Sequence, residues 1–148
     1  IEKNLLLMEP LAAQRGIKLT RRFAGDLPGI FVDEDLISRA MTNLLSNAIK
    51  YSAPNTEVLV ITKTDGKAVF ISVKDQGYGV PPEFRTRIFE KFFRVPRVED
   101  ADAPGIGLGL AMVREIAELH GGRVMLESEV GSGSTFTLRL PVESSVTK

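Results

Sequence analysis

The sequence has no cysteine, which excludes disulfide staples, thiolate metal sites and cysteine nucleophiles. It has one histidine, which excludes a multi-histidine metal centre. It has no excess of either charge: 19 Lys and Arg balance 19 Asp and Glu, so there is no electrostatic footprint for duplex DNA or RNA. No apolar run approaches the roughly 18 residues of a membrane span, and the N-terminus does not read as a signal peptide. Internal repeats and low-complexity stretches are missing too. What is there is 148 residues, 43% hydrophobic and 26% charged, the profile of one soluble globular domain with a sizeable core. It begins at Ile1 rather than Met, so a piece of a longer chain is expected.

Helical spacing opens the chain at Leu5, Leu7, Met8, Leu11 and Ala12, with Gly16 as a stop. Ile17 to Phe23 alternates like a strand, and Ile30 to Val32 is a second short candidate. Asp33 then reads as the N-cap of a helix with a wide apolar stripe, Leu36 to Ile49, ended by Pro54 and Asn55. Val58 to Lys63 and Lys67 to Lys74 are strands around the hairpin signal Asp65-Gly66, with Val69, Ile71 and Val73 facing the core. A short helix is expected over Glu83 to Lys91, followed by a polar loop from Arg94 to Pro104. A second long helix is expected from Gly107 to Leu119, stopped by Gly121-Gly122. Arg123 to Glu127 and Ser134 to Leu140 close the chain as strands, turning Val124, Leu126, Phe136, Leu138 and Leu140 inward. This grouping predicts an α/β (α+β) two-layer sandwich: a mixed, mostly antiparallel five-stranded sheet with about three helices on one face. The Asp65-Gly66 hairpin argues against a doubly wound fold, which needs regular βαβ units.

Five constellations could carry chemistry. Asn43, Asn47 and Lys50 fall at i, i+4 and i+7 on one helix face, with Tyr51 beside them. A solvated face is the plain alternative. Yet Asn is a poor helix former, amide oxygens suit a hard cation such as Mg²⁺, and an ammonium suits a phosphate. Asp75-Gln76-Gly77-Tyr78-Gly79 follows a strand; its carboxylate could accept from an exocyclic amine, and its glycines permit close backbone approach, though a plain turn would look the same. Gly105-Ile106-Gly107-Leu108-Gly109-Leu110 opens a helix and offers N–H groups to an anion; it is neither a dinucleotide fingerprint nor a P-loop. Phe89, Phe92 and Phe93 form an aromatic knot beside Arg85, Arg87, Lys91, Arg94 and Arg97, part core and part docking surface. Gly131-Ser132-Gly133-Ser134 is a turn into a strand, where the Ser134 hydroxyl could lie near a ligand.

Taken in chain order (amide face, Asp-Gly turn, aromatic knot, Gly-rich helix start, closing strand), the motifs resemble the catalytic, ATP-binding domain of sensor histidine kinases, in the superfamily shared with gyrase, the ninety-kilodalton heat-shock chaperone and mismatch-repair ATPases. The matching segments are Asn43 to Tyr51 for the asparagine box, Asp75 to Gly79 for the first glycine box and Phe89 to Arg94 for the phenylalanine box. Gly105 to Leu110 matches the second glycine box, and His120-Gly121-Gly122 through Phe136 to Leu140-Pro141 matches the ending. The resemblance covers essentially the whole chain.

The resemblance implies a Bergerat-type ATP-binding fold and a single catalytic domain over residues 1–148, with dimerisation and sensor domains absent from this chain. It implies that Asn47 binds Mg²⁺, Asn43 lies near the phosphates and the phosphoacceptor, Lys50 contacts a phosphate and Tyr51 packs by the adenine. Asp75 would accept from the adenine amino group in a pocket shaped by Gly77 and Gly79, with Ser134 in support. Gly105, Gly107 and Gly109 would end a lid and present N–H groups to the phosphates, with Leu108 and Leu110 alongside. Arg94 would stabilise the γ-phosphate during transfer. The implied partners are the dimerisation helices of the parent kinase, gripped through the region of Phe89, Phe92 and Phe93, and indirectly a response regulator. The domain itself is expected to be monomeric and cytoplasmic, in a parent that the inner membrane could anchor. His120 reads as a helix-terminal residue favourable to the dipole and not as the phosphoacceptor, so this chain should bind ATP without phosphorylating itself. Gln76 replaces the family's more usual Asn or Thr and touches no expected chemistry, and Glu99, Asp100 and Asp102 make the lid acidic, which weakens a phosphate role for Arg97. Competing readings are a nucleotide-holding module without transfer, an anti-sigma-type serine kinase and a purely structural domain. A His-Glu or His-Asp pair on a helix about 100 residues upstream would favour the kinase.

Overall fold

A computed structural model describes residues 1–94 and 109–142. Its elements are α1 (Glu2–Gln14), β1 (Lys18–Arg22), α2 (Glu34–Tyr51), β2 (Glu57–Thr64), β3 (Ala68–Lys74), α3 (Gly109–Leu119), β4 (Arg123–Glu129) and β5 (Gly133–Pro141). Two single 3₁₀ turns, Pro82–Phe84 and Arg87–Phe89, lie between β3 and α3. The five strands form one sheet in the order β1-β2-β3-β5-β4. Only β1 and β2 pair in parallel; the other three pairings are antiparallel.

The strand register explains the core. Val60, Val73, Phe136 and Leu126 lie opposite one another across four strands, and Ile71, Leu138 and Val124 form the next row. These rows turn toward the helices, while alternate residues such as Leu59, Phe70 and Arg139 stay half-exposed. Against the rows lies the stripe Ala40, Met41, Leu44, Leu45, Ala48 and Ile49 of α2, joined by Val113, Ile116 and Ala117 of α3. Asp33 caps α2 by accepting from the Leu36 amide at 3.1 Å, as its sequence position predicts. On α1, Leu5, Met8 and Ala12 enter the core, whereas Leu6 and Leu7 stay exposed. The expected α/β sandwich with a five-stranded mixed sheet is therefore the fold.

Two expectations fail. Ile30 to Val32 is not a strand. Ile30 and Val32 pack on the rim of the core while Phe31 points away, 86% exposed, and the segment leads directly into the Asp33 cap. Glu83 to Lys91 is not an α-helix. The chain breaks at Arg85 and Thr86 between two 3₁₀ turns, and this break aims the Arg85 side chain back at Val80 and Ser128 while Ile88 and Phe89 enter the core. His120 is buried and closes the helix layer: its Nε2 accepts from the Asp33 amide at 3.0 Å, so its Nδ1 carries the proton and donates to the Ile116 carbonyl at 2.7 Å. The ring thus ties the end of α3 to the N-terminus of α2 through hydrogen bonds.

Candidate functional site

Asp75 stands one residue beyond β3 and is 7% exposed. Its Oδ1 accepts from the amides of Gly77 at 2.9 Å and Ser134 at 3.2 Å, and its own amide donates to the Ser134 carbonyl at 2.9 Å. A buried carboxylate at a strand end is thus held in one orientation by main-chain donors from two segments. The turn after it is compressed on both sides. A Cβ on Gly77 would overlap the Tyr51 carbonyl at the end of α2. Gly79 has φ +76°, and a Cβ there would strike the Glu129 carbonyl at the end of β4. Both glycines therefore have steric reasons to be glycine.

A cavity opens beside this carboxylate. Asn47 and Tyr51 reach it from α2, Tyr78, Gly79 and Val80 from the turn, and Ile88, Phe93 and Arg94 from the second 3₁₀ turn and the residues after it. Gly109 and Leu110 of α3 and Ser134 and Phe136 of β5 complete the lining. Val80, Ile88 and Phe136 give an apolar wall next to Asp75, and Asn47, Arg94 and the α3 terminus give polar groups. This combination fits a ligand with a flat apolar body, one amine donor and an anionic tail.

Of the residues picked from the sequence, Asn47, Tyr51, Asp75, Gly79, Arg94, Gly109, Leu110 and Ser134 line this one cavity. Asn43 lies next to it: a Cβ on Gly109 would be 3.6 Å from its Oδ1, and its Nδ2 donates to Met112 Sδ at 3.4 Å. Gly77 supports Asp75 from behind. Lys50 holds its ammonium 5.0 Å from the centre of the Tyr51 ring. Gly105, Gly107, Leu108, Arg97 and the acidic lid lie outside the described residues. Gln76 has a structural role, since its Oε1 accepts from the Glu57 amide at 2.8 Å and ties the turn to the start of β2.

The aromatic knot divides in three. Phe89 is buried edge-on against Phe136, which removes it from any docking surface. Phe93 packs between Phe84, with ring centres 5.7 Å apart, and the Arg87 guanidinium at 4.6 Å. Phe92 is 69% exposed and sits at φ +67°, a conformation that costs a β-carbon residue about 1 kcal/mol or more. Sequence reasoning missed Tyr78, Val80 and Ile88 as cavity wall; their only signal was their place beside Gly79 and Phe89. Among the described residues no group of three or more His, Asp or Glu could hold a metal, so a cation here would rest on one amide oxygen and on ligand and water oxygens.

The family model for "Histidine kinase-, DNA gyrase B-, and HSP90-like ATPase" matches residues 32–144. The chain belongs to this ATPase family. Within it, this ATPase domain is 40% identical to the adaptive-response sensory kinase SasA of Crocosphaera subtropica over 89% of its own length. It is 43% identical to the sensor-like histidine kinase SenX3 of Mycolicibacterium smegmatis over 74% of its length. It spans about a third of those curated relatives, 34% and 28%. Full-length ShkA, solved in complex with AMPPNP, superposes with a TM-score of 0.83 at 34% identity, over 99% of this domain and 30% of that chain. The catalytic domain of histidine kinase ThkA superposes with a TM-score of 0.82 at 25% identity, over 95% and 90% of the two chains. The sandwich is therefore a histidine kinase ATPase domain in fold and family.

Proposed function

We propose that this domain binds Mg-ATP and transfers the γ-phosphate to a histidine on a separate dimerisation domain of the same sensor kinase, which then feeds a response regulator. The observation that carries the proposal is the buried Asp75 carboxylate, fixed by two main-chain amides and sharing one cavity with Asn47 and Arg94. Asp75 would accept from the adenine amino group. Guanine would present a carbonyl there, acceptor against acceptor, and be rejected. Val80, Ile88 and Phe136 would bury the base. The amide oxygen of Asn47 fits a hard cation, and Mg²⁺ held there with phosphate and water oxygens would offset phosphate charge. Asn43, which neighbours Gly109 at the start of α3, would lie on the phosphate side, and Lys50 would contact a phosphate. Gly105, Gly107 and Leu108 would complete that end from the lid. Arg94 would stabilise the γ-phosphoryl oxygens as the bond to ADP breaks and the bond to the imidazole nitrogen forms.

That His120 is buried with both ring nitrogens bonded supports an acceptor histidine outside this chain. The exposed, strained Phe92 would grip the dimerisation helices, and the domain would work in the cytoplasm. No helix among the described residues is long and apolar enough to cross a membrane.

A direct assay supplies ATP, Mg²⁺ and a separate dimerisation domain carrying the acceptor histidine. Acid-labile phosphate should appear on that domain and not on this one. Arg94→Ala should slow transfer by about 100-fold or more. Asn47→Ala should abolish the Mg²⁺ dependence of nucleotide binding. A folded wild-type domain that binds ATP yet transfers nothing would favour a nucleotide-holding module.

A further inference from the structure

Arg85 belongs to none of the motif boxes. It lies in the break between the two 3₁₀ turns, and its guanidinium spans two main-chain carbonyls: Nε donates to Val80 O at 3.2 Å and Nη2 donates to Ser128 O. Val80 lines the cavity. Its amide is held as well, donating to Ser128 Oγ at 2.7 Å. Ser128 Oγ in turn donates to Gly133 O at 3.0 Å and bonds Ser134 Oγ at 2.9 Å, and the Ser134 amide donates to Asp75 Oδ1. One continuous network therefore runs from Arg85 through Val80, Ser128 and Ser134 to the Asp75 carboxylate. The same turn is bound once more from the hairpin between β4 and β5, where the Gly131 amide donates to Tyr78 O at 2.9 Å.

We infer that Arg85, with Ser128, is a positioning residue for the base-binding wall. Arg85 holds the Val80 carbonyl and Ser128 holds its amide, and together they set the distance between the apolar wall and Asp75. The geometry favours this over simple surface packing, because two separate nitrogens of one rigid, planar guanidinium each hold a different main-chain carbonyl, a span that the single nitrogen of an ammonium does not match. The inference rests on the proposed ATP site. It predicts a base-side defect: affinity for every adenine nucleotide should fall by one common factor, whatever the number of phosphates.

The experiment titrates ADP and ATP into the wild type, Arg85→Met, Arg85→Lys and Arg94→Ala, alongside amide hydrogen exchange. Arg85→Met should weaken ADP and ATP equally, by about tenfold or more. Arg85→Lys, which keeps one carbonyl contact, should fall between it and the wild type. Arg94→Ala should weaken ATP more than ADP. In the transfer assay Arg85→Met should raise KM for ATP and leave kcat unchanged. The Val80 amide should exchange faster in Arg85→Met while the Val73 amide in the sheet core keeps its protection, which separates local release from unfolding. Should Arg85→Met not fold, Arg85→Lys carries the same comparisons. Wild-type affinity in a folded Arg85 variant, or a loss that differs between ADP and ATP, would overturn the inference alone. Absence of nucleotide binding by the wild type would overturn the ATP site and this inference together.

Discussion

Replacing Asp75 by Asn and, separately, by Ala pulls apart its structural and its proposed binding roles. Oδ1 accepts from two buried amides, Gly77 and Ser134. Asn keeps an oxygen of the same shape for both, so Asp75→Asn should change folding stability by less than about 1 kcal/mol. Its amide NH₂ would then face the adenine amino group, donor against donor. Losing a hydrogen bond to a charged acceptor costs about 1.5–3 kcal/mol, so ATP affinity should fall by about 10- to 150-fold or more. Ala removes the oxygen that accepts from both amides. Each orphaned amide costs about 1–3 kcal/mol, so Asp75→Ala should lose about 2–5 kcal/mol of stability. That corresponds to a Tm lower by about 5–15 °C in a domain of this size. Urea denaturation reads the first quantity and calorimetric titration the second. An Asn variant as unstable as the Ala variant would refute the assignment of Oδ1 as a main-chain anchor. An Asn variant that binds ATP like the wild type would refute the adenine contact.

Three further outcomes follow from the same geometry. Gly79→Ala should cost about 2–5 kcal/mol in urea denaturation, because φ +76° is unfavourable for Ala and its Cβ meets the Glu129 backbone; a cost below about 1 kcal/mol would contradict this. His120→Ala should destabilise by about 2–4 kcal/mol and speed exchange of the Asp33 amide, which loses its buried acceptor. Asp65 accepts from the amides of Lys67 and Ala68 in the β2–β3 turn, and these hold its carboxyl below its ordinary 3.8. A depressed folded-state pKa gives stability that is present above the unfolded value and lost as pH falls through the folded one. The stability gap between wild type and Asp65→Ala should therefore be level at neutral pH and close below the ordinary carboxylate range; a gap that widens in acid would contradict it.

Local chemistry and the sandwich class were legible in the sequence; which apolar side chains meet across the sheet was not. The Asp65-Gly66 hairpin, the Asp33 cap and the apolar stripe of α2 each follow from residues within a turn or two of one another, and all three stand in the structure. Ile30 to Val32 had the composition of a strand, but a strand needs a neighbouring edge, and no local pattern says whether one is there. Phe84 and Ile88 lie at a helical spacing, yet the return of Arg85 to Val80 and Ser128 requires a break between them. The site divides in the same way. Asp75 could be picked out at the end of an alternating strand next to glycines. Val80, Ile88 and Phe136 become one wall only because β5 pairs with β3 and the 3₁₀ segment folds across them, which sequence spacing does not encode. The sequence likewise offered three phenylalanines with equal claims, and burial gave Phe89 to the core and left Phe92 outside.

Adenine selection by Asp75 is most directly probed by calorimetric titration of the folded wild-type domain with ATP and with GTP, each in the presence of Mg²⁺. ATP should bind at one site and GTP weakly or not at all, because Asp75 offers an acceptor where guanine also carries one. Equal affinity for the two nucleotides, or no binding of ATP, would contradict the assignment of this cavity as an adenine site.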